Sequence, residues 1–332
     1  MKTIIIAEAG VNHNGSLKKA LKMVDIASRA KADFIKFQTF IPSELCQTKA
    51  NLAEYQKKNF KSKSQLEMLK SLSLSFNDFR KIKERCKKRN INFISSPFDE
   101  LSLDFLKKIK VNLIKIASGE ITNIPLLKKI GKLKKRVIMS TGMSNLKEIK
   151  KALNILIKNG TKKKDITILH CNTEYPATNS KLNLKSIKFL KDKLNISVGY
   201  SDHSIGNEAS LMAIALGSSV LEKHFTISKS LKGPDHTSSL DPKELTHYVK
   251  SIREFEKSLG VYDKCPYKEE LKNLQTIRKQ IVAKTSILKG EKFSLNNITT
   301  KRAQKGIPAS KWDEIIGKKS SFNFKTDENI KF

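Results

Sequence analysis

Short apolar runs recur along the chain, each followed by polar turn residues and then by a stretch with apolar positions at helical spacing. The runs fall at residues 4–7, 34–37, 91–94, 113–117, 137–139, 166–169, 196–198 and 220–221. Between them, Leu17, Ala20, Leu21 and Val24 share one face of a predicted helix at 17–30. Comparable helical stretches cover 76–89, 101–109, 146–157, 184–194 and 209–216. Eight alternating units predict an α/β fold, a (β/α)8 TIM barrel. A doubly wound sheet alternates too, but with fewer units, and no Gly-x-Gly-x-x-Gly follows the first run.

A barrel collects its chemistry at the C-terminal ends of its strands. The polar residues here obey that rule. Glu8 ends the first run, Lys36 and Gln38 the second, Ser95 and Ser96 the third, and Lys115 and Ser118 the fourth. Ser140 ends the fifth and His170 the sixth; Ser201-Asp202-His203 follow the seventh, and Glu222 and His224 the eighth. Chance would scatter polar groups over both ends.

Residues 40–75, rich in Lys, Gln and Ser, read as an insertion with short helices over the barrel mouth. Residues 242–259 read as a closing helix and 260–272 as polar linker. From residue 280 the texture changes to short strands and tight turns, with glycines at 290, 306 and 317. The predicted organisation is a barrel over 1–262, a linker over 263–279 and a small β-rich domain over 280–332.

Charge complicates this picture. The 332 residues hold 65 Lys+Arg against 32 Asp+Glu, a net +33. Such an excess invites a nucleic-acid or anionic-surface reading. Yet only eight of the 65 are Arg, and Lys is spread evenly alongside Ile and Asn. Nucleic-acid binders concentrate charge on one face and use Arg for bidentate contacts. The excess reads as compositional background, and no nucleic-acid partner is expected. No apolar run approaches the about 20 residues of a membrane span. The N-terminal run turns acidic at Glu8, too soon for a signal-peptide core. Cys46, Cys86, Cys171 and Cys265 lie far apart, with no CxxC pair. A soluble, cytoplasmic protein is expected.

Two lysines break apolar runs, Lys36 and Lys115. An ammonium inside a barrel is costly unless paired. One alternative places them on the outer face, snorkelling between helices. The other makes them an anion clamp or, singly, a Schiff-base amine. With Ser96, Ser118, Ser140 and Ser201 at strand ends, two cations and several hydroxyls describe a phosphate and carboxylate pocket. Gly119 and Gly142 would let backbone approach the ligand. His203 and His224, on neighbouring strands, could hold a divalent metal with open positions for water and substrate, or be structural histidines. Asp202, Glu222 and Asp235 are nearby carboxylates for acid/base or supporting roles. His13 and His236 sit in Gly-flanked loops as possible substrate contacts. Cys171 beside His170 does not make a nucleophilic pair, since adjacent strand residues point opposite ways.

The motifs resemble the sialic acid synthase family. They are Glu8-Ala9-Gly10-Val11-Asn12-His13-Asn14-Gly15, Lys36-Phe37-Gln38-Thr39, Ser95-Ser96-Pro97-Phe98 and Lys115-Ile116-Ala117-Ser118-Gly119-Glu120. Ser140-Thr141-Gly142-Met143, Leu169-His170-Cys171-Asn172-Thr173-Glu174-Tyr175-Pro176, Ser201-Asp202-His203-Ser204, Glu222-Lys223-His224-Phe225-Thr226 and Gly233-Pro234-Asp235-His236 follow in order. The tail from residue 280 resembles that family's antifreeze-like (SAF) domain.

The resemblance implies condensation of phosphoenolpyruvate with an N-acetylated mannosamine to a nine-carbon sialic acid and phosphate. Lys36, Ser96, Lys115, Ser118, Ser140 and Ser201 would hold phosphoenolpyruvate. Glu8, Gln38, Tyr175, Asp235 and Arg302 would hold the sugar, Arg302 reaching in from the partner of a domain-swapped homodimer. His203 and His224 would bind Mn2+ or Mg2+. Glu222 or Glu120 would take the proton of attacking water, and Lys36 and Lys115 would stabilise departing phosphate. The expected activity is N-acetylneuraminate synthase, with N,N'-diacetyllegionaminate synthase acting on 2,4-diacetamido-2,4,6-trideoxymannose as the alternative. Two departures stand out. Lys301-Arg302-Ala303-Gln304 replaces the family's Lys-Arg-Pro-Gly, loosening the loop that presents Arg302. Asn172-Thr173-Glu174 replaces a Thr-Asn arrangement, which leaves open whether Asn172 or Thr173 meets the ligand.

Overall fold

The computed structural model describes residues 2–52, 62 and 64–331. The chain divides into two compact units, Met1–Gly260 and Val261–Phe332.

The first unit is a closed barrel of eight parallel strands in chain order, with β1 pairing β8. The strands are β1 (Ile4–Gly10), β2 (Phe34–Thr39), β3 (Asn92–Pro97), β4 (Leu113–Ile116), β5 (Arg136–Ser140), β6 (Ile166–Cys171), β7 (Ser197–Asp202) and β8 (Val220–His224). The helices are α1 (Leu17–Arg29), α2 (Gln65–Leu72), α3 (Phe76–Lys88), α4 (Glu100–Lys108), α5 (Ile124–Lys132), α6 (Leu146–Lys158), α7 (Lys185–Leu194), α8 (Glu208–Ala215) and α9 (Pro242–Ser258). Their starts are written locally. Ser16, Ser64, Ser75, Asp99, Asn123, Asn145 and Asp241 each accept a backbone N–H of the first turn with their side chains.

Two differences from the sequence pattern have physical causes. Most strands run past their apolar runs into polar residues, because inward-facing polar groups belong to the ladder at the barrel's C-terminal end. Helix α5, with Pro125 in its first turn, lay between two apolar runs and had no predicted counterpart. In the insertion after β2, a turn at Pro42–Leu45 and α2 pack Met68, Leu69 and Leu72 with Val11 and Phe40. Residues 53–61 and 63 of that segment lie outside the described residues.

Strict alternation sorts every strand. Outward residues such as Ile35, Phe37, Ile114, Ile116 and Leu221 join the large core shared with the helices. Inward residues Ile6, Phe34, Ile94, Leu113, Ile138, Leu169 and Val220 form a separate apolar plug. Gly199 takes the β7 place in that layer, since a Cβ there would lie 2.5 Å from Leu169 Cδ2. The charged layer described below rests on this plug.

In the second unit, β9 (Lys279–Ala283) is the middle of an antiparallel sheet between β10 (Ile298–Arg302) and β11 (Ile307–Pro308). Ile281, Ile287, Phe293, Ile298, Phe324 and Ile330 belong to its own core. Residues 263–279, read as linker, contain helix α10 (Lys268–Ile277), where Glu270 accepts from the Tyr267 N–H at the helix start. None of its ten residues is buried, and its three apolar positions, Leu271, Leu274 and Ile277, are too few to reveal a helix. Among the described residues, no helix is long and apolar enough to cross a membrane.

Candidate active site

Two positions beyond the apolar plug, the eight strands carry Glu8, Lys36, Ser96, Lys115, Ser140, Cys171, Ser201 and Glu222. All eight are buried. The layer holds two ammonium groups, two carboxylates, three hydroxyls and a thiol.

Its charges pair internally. Lys36 Nζ lies 3.2 Å from Glu8 Oε2 and 3.4 Å from Glu222 Oε1, and donates to Ser96 Oγ at 3.5 Å. Lys115 Nζ lies 3.6 Å from Glu222 Oε1 and donates to Ser140 Oγ at 2.6 Å and to the Ile116 carbonyl at 3.3 Å. Ser201 Oγ donates to Glu222 Oε1 at 3.1 Å. Glu222 Oε1 is thus shared by both lysines and a hydroxyl. Burial opposes its charge, but Lys115 and Lys36 overcome burial and hold the carboxyl down at about 2. Burial, only partly offset by Lys36, pushes Glu8 up to about 7. Burial likewise lowers Lys115 to about 8, against the pull of Glu222. Lys36 is also opposed by burial, but Glu222 and Glu8 prevail and raise it. The outward-face alternative for Lys36 and Lys115 is therefore excluded.

The next inward positions on β7 and β8 are the two histidines. Their rings stand 5.4 Å apart, centre to centre, with Tyr175 at 4.1 Å from His203 and 5.7 Å from His224. Burial lowers His203 to about 4, and drives His224 well below the ordinary histidine range. Burial thus favours the neutral form of both rings. His203 Nδ1–H donates to the Asn172 carbonyl at 2.5 Å. Its Nε2 faces Ser201 Oγ at 3.4 Å, but the Ser201 proton is engaged by Glu222. Gly10, at φ +52°, leaves room for Glu8 and His224, which a Cβ there would approach to 3.3 and 3.4 Å.

A divalent cation fits this donor set. Among the described residues no proton donor is left for the His203 Nε2 lone pair, and buried His224 Nδ1 and Glu222 Oε2 have no hydrogen-bond partner. Two neutral imidazoles beside carboxylates suit a catalytic site that leaves positions open to substrate. Among the described residues no group of three or more His, Cys, Asp or Glu is arranged to enclose a metal, so the remaining positions would fall to water and substrate.

Other predicted residues are placed as follows. Ser118 Oγ accepts from the Gly142 N–H at 3.1 Å and lies 3.2 Å from Cys171 Sγ. Gln38 Nε2 reaches Glu8 Oε1 at 3.5 Å. Asp235 is buried in the loop after β8, and burial raises it to about 6. Glu120 stands apart. It accepts from Asn123 Nδ2 at 2.7 Å, and among the described residues no ion pair joins it to either lysine. Asp202 faces out of the barrel, where it pairs with Lys223 at 2.9 Å and accepts from Ser204 and Ser210. It is no acid/base group of the mouth. His170 also faces outward, bonding the Leu182 carbonyl at 2.7 Å. His236 is held between Thr226 Oγ1 at 2.7 Å and Asn14 Oδ1 at 3.1 Å, and His13 Nδ1 accepts from the Gly15 N–H at 3.2 Å. Arg302 is exposed at the end of β10 in the second unit.

Cys171 was missed as a site residue, whereas Gly142 and Thr173 stand where the sequence pattern placed them, beside Ser118. A Cβ on Gly142 would meet Thr173 Cγ2 at 2.6 Å and Cys171 Sγ and Ser118 Oγ at 2.9 Å. Alternation was the available signal for Cys171, two positions beyond inward-facing Leu169.

Comparison with known proteins agrees with this construction. The NeuB family model matches residues 23–264, and the SAF domain model matches residues 278–332. N,N'-diacetyllegionaminic acid synthase of Campylobacter jejuni is 50% identical over 99% of both chains. The Legionella pneumophila protein of the same name is 41% identical over 97% of this chain and 92% of its own. Among solved structures, N-acetylneuraminic acid (sialic acid) synthetase of Leptospira borgpetersenii, in complex with citrate, is 36% identical with a TM-score of 0.72. That match covers 83% of this chain and 93% of the Leptospira chain.

Proposed function

The chain belongs to the NeuB family and is a phosphoenolpyruvate-dependent nonulosonic acid synthase, and we propose that the sugar it condenses is 2,4-diacetamido-2,4,6-trideoxymannose, giving N,N'-diacetyllegionaminate and phosphate. The observation that carries the reaction is the buried charged layer, with its two lysines, flanking hydroxyls and shared carboxylate. Two relatives at 50% and 41% identity, both named for diacetyllegionaminic acid, support the sugar. N-acetylmannosamine is the second reading, favoured by the Leptospira synthetase.

Lys36 and Lys115 bind the phosphate and carboxylate of phosphoenolpyruvate, helped by the hydroxyls of Ser96, Ser118, Ser140 and Ser201. Glu8, Gln38, Tyr175 and Asp235 orient the sugar, with Arg302 from the partner of a domain-swapped homodimer. His203 and His224 would hold Mn2+ or Mg2+, which would supply Lewis-acid polarisation of the sugar aldehyde. C3 of phosphoenolpyruvate attacks that aldehyde carbon, and positive charge develops at C2, where the nearby carboxylates stabilise it. Water adds at C2, and Glu222, hydrogen-bonded by Ser201 and set between both lysines, takes its proton. The tetrahedral adduct expels phosphate by C–O cleavage, with Lys36 and Lys115 stabilising the leaving charge. The small substrates and four unpaired cysteines support a cytoplasmic enzyme with no nucleic-acid partner.

The test is phosphate release by purified protein with phosphoenolpyruvate, Mn2+ and each sugar. Faster turnover with the diacetamido sugar is expected. Faster turnover with N-acetylmannosamine would establish the second reading, and no turnover with either would overturn the function.

A further inference from the structure

His203 can ligate a cation through Nε2 only while its proton stays on Nδ1. That proton is held by one atom, the main-chain carbonyl of Asn172, 2.5 Å away. A carbonyl only accepts, so the contact admits one neutral tautomer and one ring orientation.

The carbonyl is itself held in place by its own side chain. Asn172 Oδ1 accepts from the Glu174 N–H at 2.7 Å, a turn closed by a carboxamide two residues back. Asn172 Nδ2 donates to the Lys181 carbonyl at 3.3 Å, across the loop. Lys181 Nζ returns to Glu174 Oε1 at 2.9 Å. The Ala177 N–H donates to the His203 carbonyl at 2.9 Å, and the Tyr175 ring covers the imidazole. The loop after β6 is thereby fastened to itself and to His203. Both polar ends of the Asn172 side chain are thus engaged inside the loop. The Thr173 hydroxyl has no hydrogen bond among the described residues, and its methyl borders Gly142.

We propose that Asn172 is a positioning residue: its side chain builds the turn that presents its carbonyl to His203, and so fixes the tautomer that leaves Nε2 open to a divalent cation. The inference rests on the reading of His203 as a metal ligand, but its first readout needs no metal. The experiment is 15N NMR of histidine-labelled full-length protein, metal-free, with the His203 signals assigned through His203→Gln. Wild type should show His203 protonated at Nδ1 and bare at Nε2. Asn172→Ala should mix the two tautomers and raise the Mn2+ dissociation constant by about 10–100-fold in calorimetry. Asn172→Asp keeps the oxygen that accepts from Glu174 and should restore both readouts most of the way. A wild-type ring protonated at Nε2 would overturn the proposal. So would an Asn172→Ala protein that folds with unchanged ring signals and unchanged Mn2+ affinity, or an Asp variant no better than Ala. If wild type shows the expected tautomer but binds no Mn2+, the metal reading fails and the tautomer claim stands.

Discussion

Ser118 has one hydroxyl proton and two lone pairs. One lone pair takes the Gly142 N–H, and the Cys171 thiol stands 3.2 Å away. If the thiol donates to the second, the hydroxyl proton is left to point at the phosphate it is proposed to bind. Burial raises the Cys171 thiol above its ordinary pKa, so it stays protonated and able to donate. Cys171→Ala should raise KM for phosphoenolpyruvate by about fivefold, the worth of one hydrogen bond near 1 kcal/mol, with a smaller change in kcat. Cys171→Ser should recover most of it. Steady-state kinetics at saturating sugar checks this, and an unchanged KM in the alanine variant would count against the role. At this scale the sequence was a partial guide. Lys36 and Lys115 stood out because they interrupt apolar runs. Cys171 did not, because a thiol in an apolar strand looks like any other small core residue.

The elements carry a different logic, in which neighbours on one strand do opposite jobs. Glu222 and His224 face into the barrel, while Lys223 between them faces out and pairs with Asp202 of the adjacent strand. Ser201 and His203 bracket Asp202 in the same way. The outer pair is fully buried and further bonded, Lys223 to the Ser204 carbonyl at 2.6 Å, and Asp202 to Ser210, which meets the Tyr248 hydroxyl at 2.8 Å. It ties β7 to β8 behind the two histidines. Lys223→Met strands a buried carboxylate and should cost about 3–5 kcal/mol in denaturant unfolding. The double change Asp202→Asn with Lys223→Met should recover much of that loss. A single variant as stable as wild type would contradict the account. Strand polarity was legible from period two, but where each strand ended was not. Apolar runs stop two to four residues before β2, β3, β7 and β8 do, so Asp202 and His203 seemed to share one loop at the barrel mouth. Register separates them, and register comes from closing the barrel.

For the whole molecule, the net charge of +33 separates into two populations. Among the described residues only Lys36, Lys115 and Lys223 are buried lysines, and each has a carboxylate within 3.6 Å. The other described lysines are exposed or half-buried, as a composition-wide lysine bias would place them. Barrel and β-rich tail were both legible, because eight strand–helix periods and a change to short strands leave plain patterns. The short helix α10 between them was not, since an exposed segment has no core-facing stripe to show. In the proposed dimer the tail would contribute to the site through Arg302. Arg302→Ala should raise KM for the sugar more than KM for phosphoenolpyruvate, and an equal rise in both would argue against a sugar contact.

The central claim is that the charged layer condenses phosphoenolpyruvate with a sugar by breaking the C–O bond to phosphate. The most direct measurement uses phosphoenolpyruvate carrying 18O in the bridging position, turned over with Mn2+ and the diacetamido sugar, with mass spectrometry of both products. The account predicts sugar-dependent release of phosphate that carries the label, and an unlabelled nine-carbon acid. Label retained in the acid, or phosphate released equally without sugar, would contradict it.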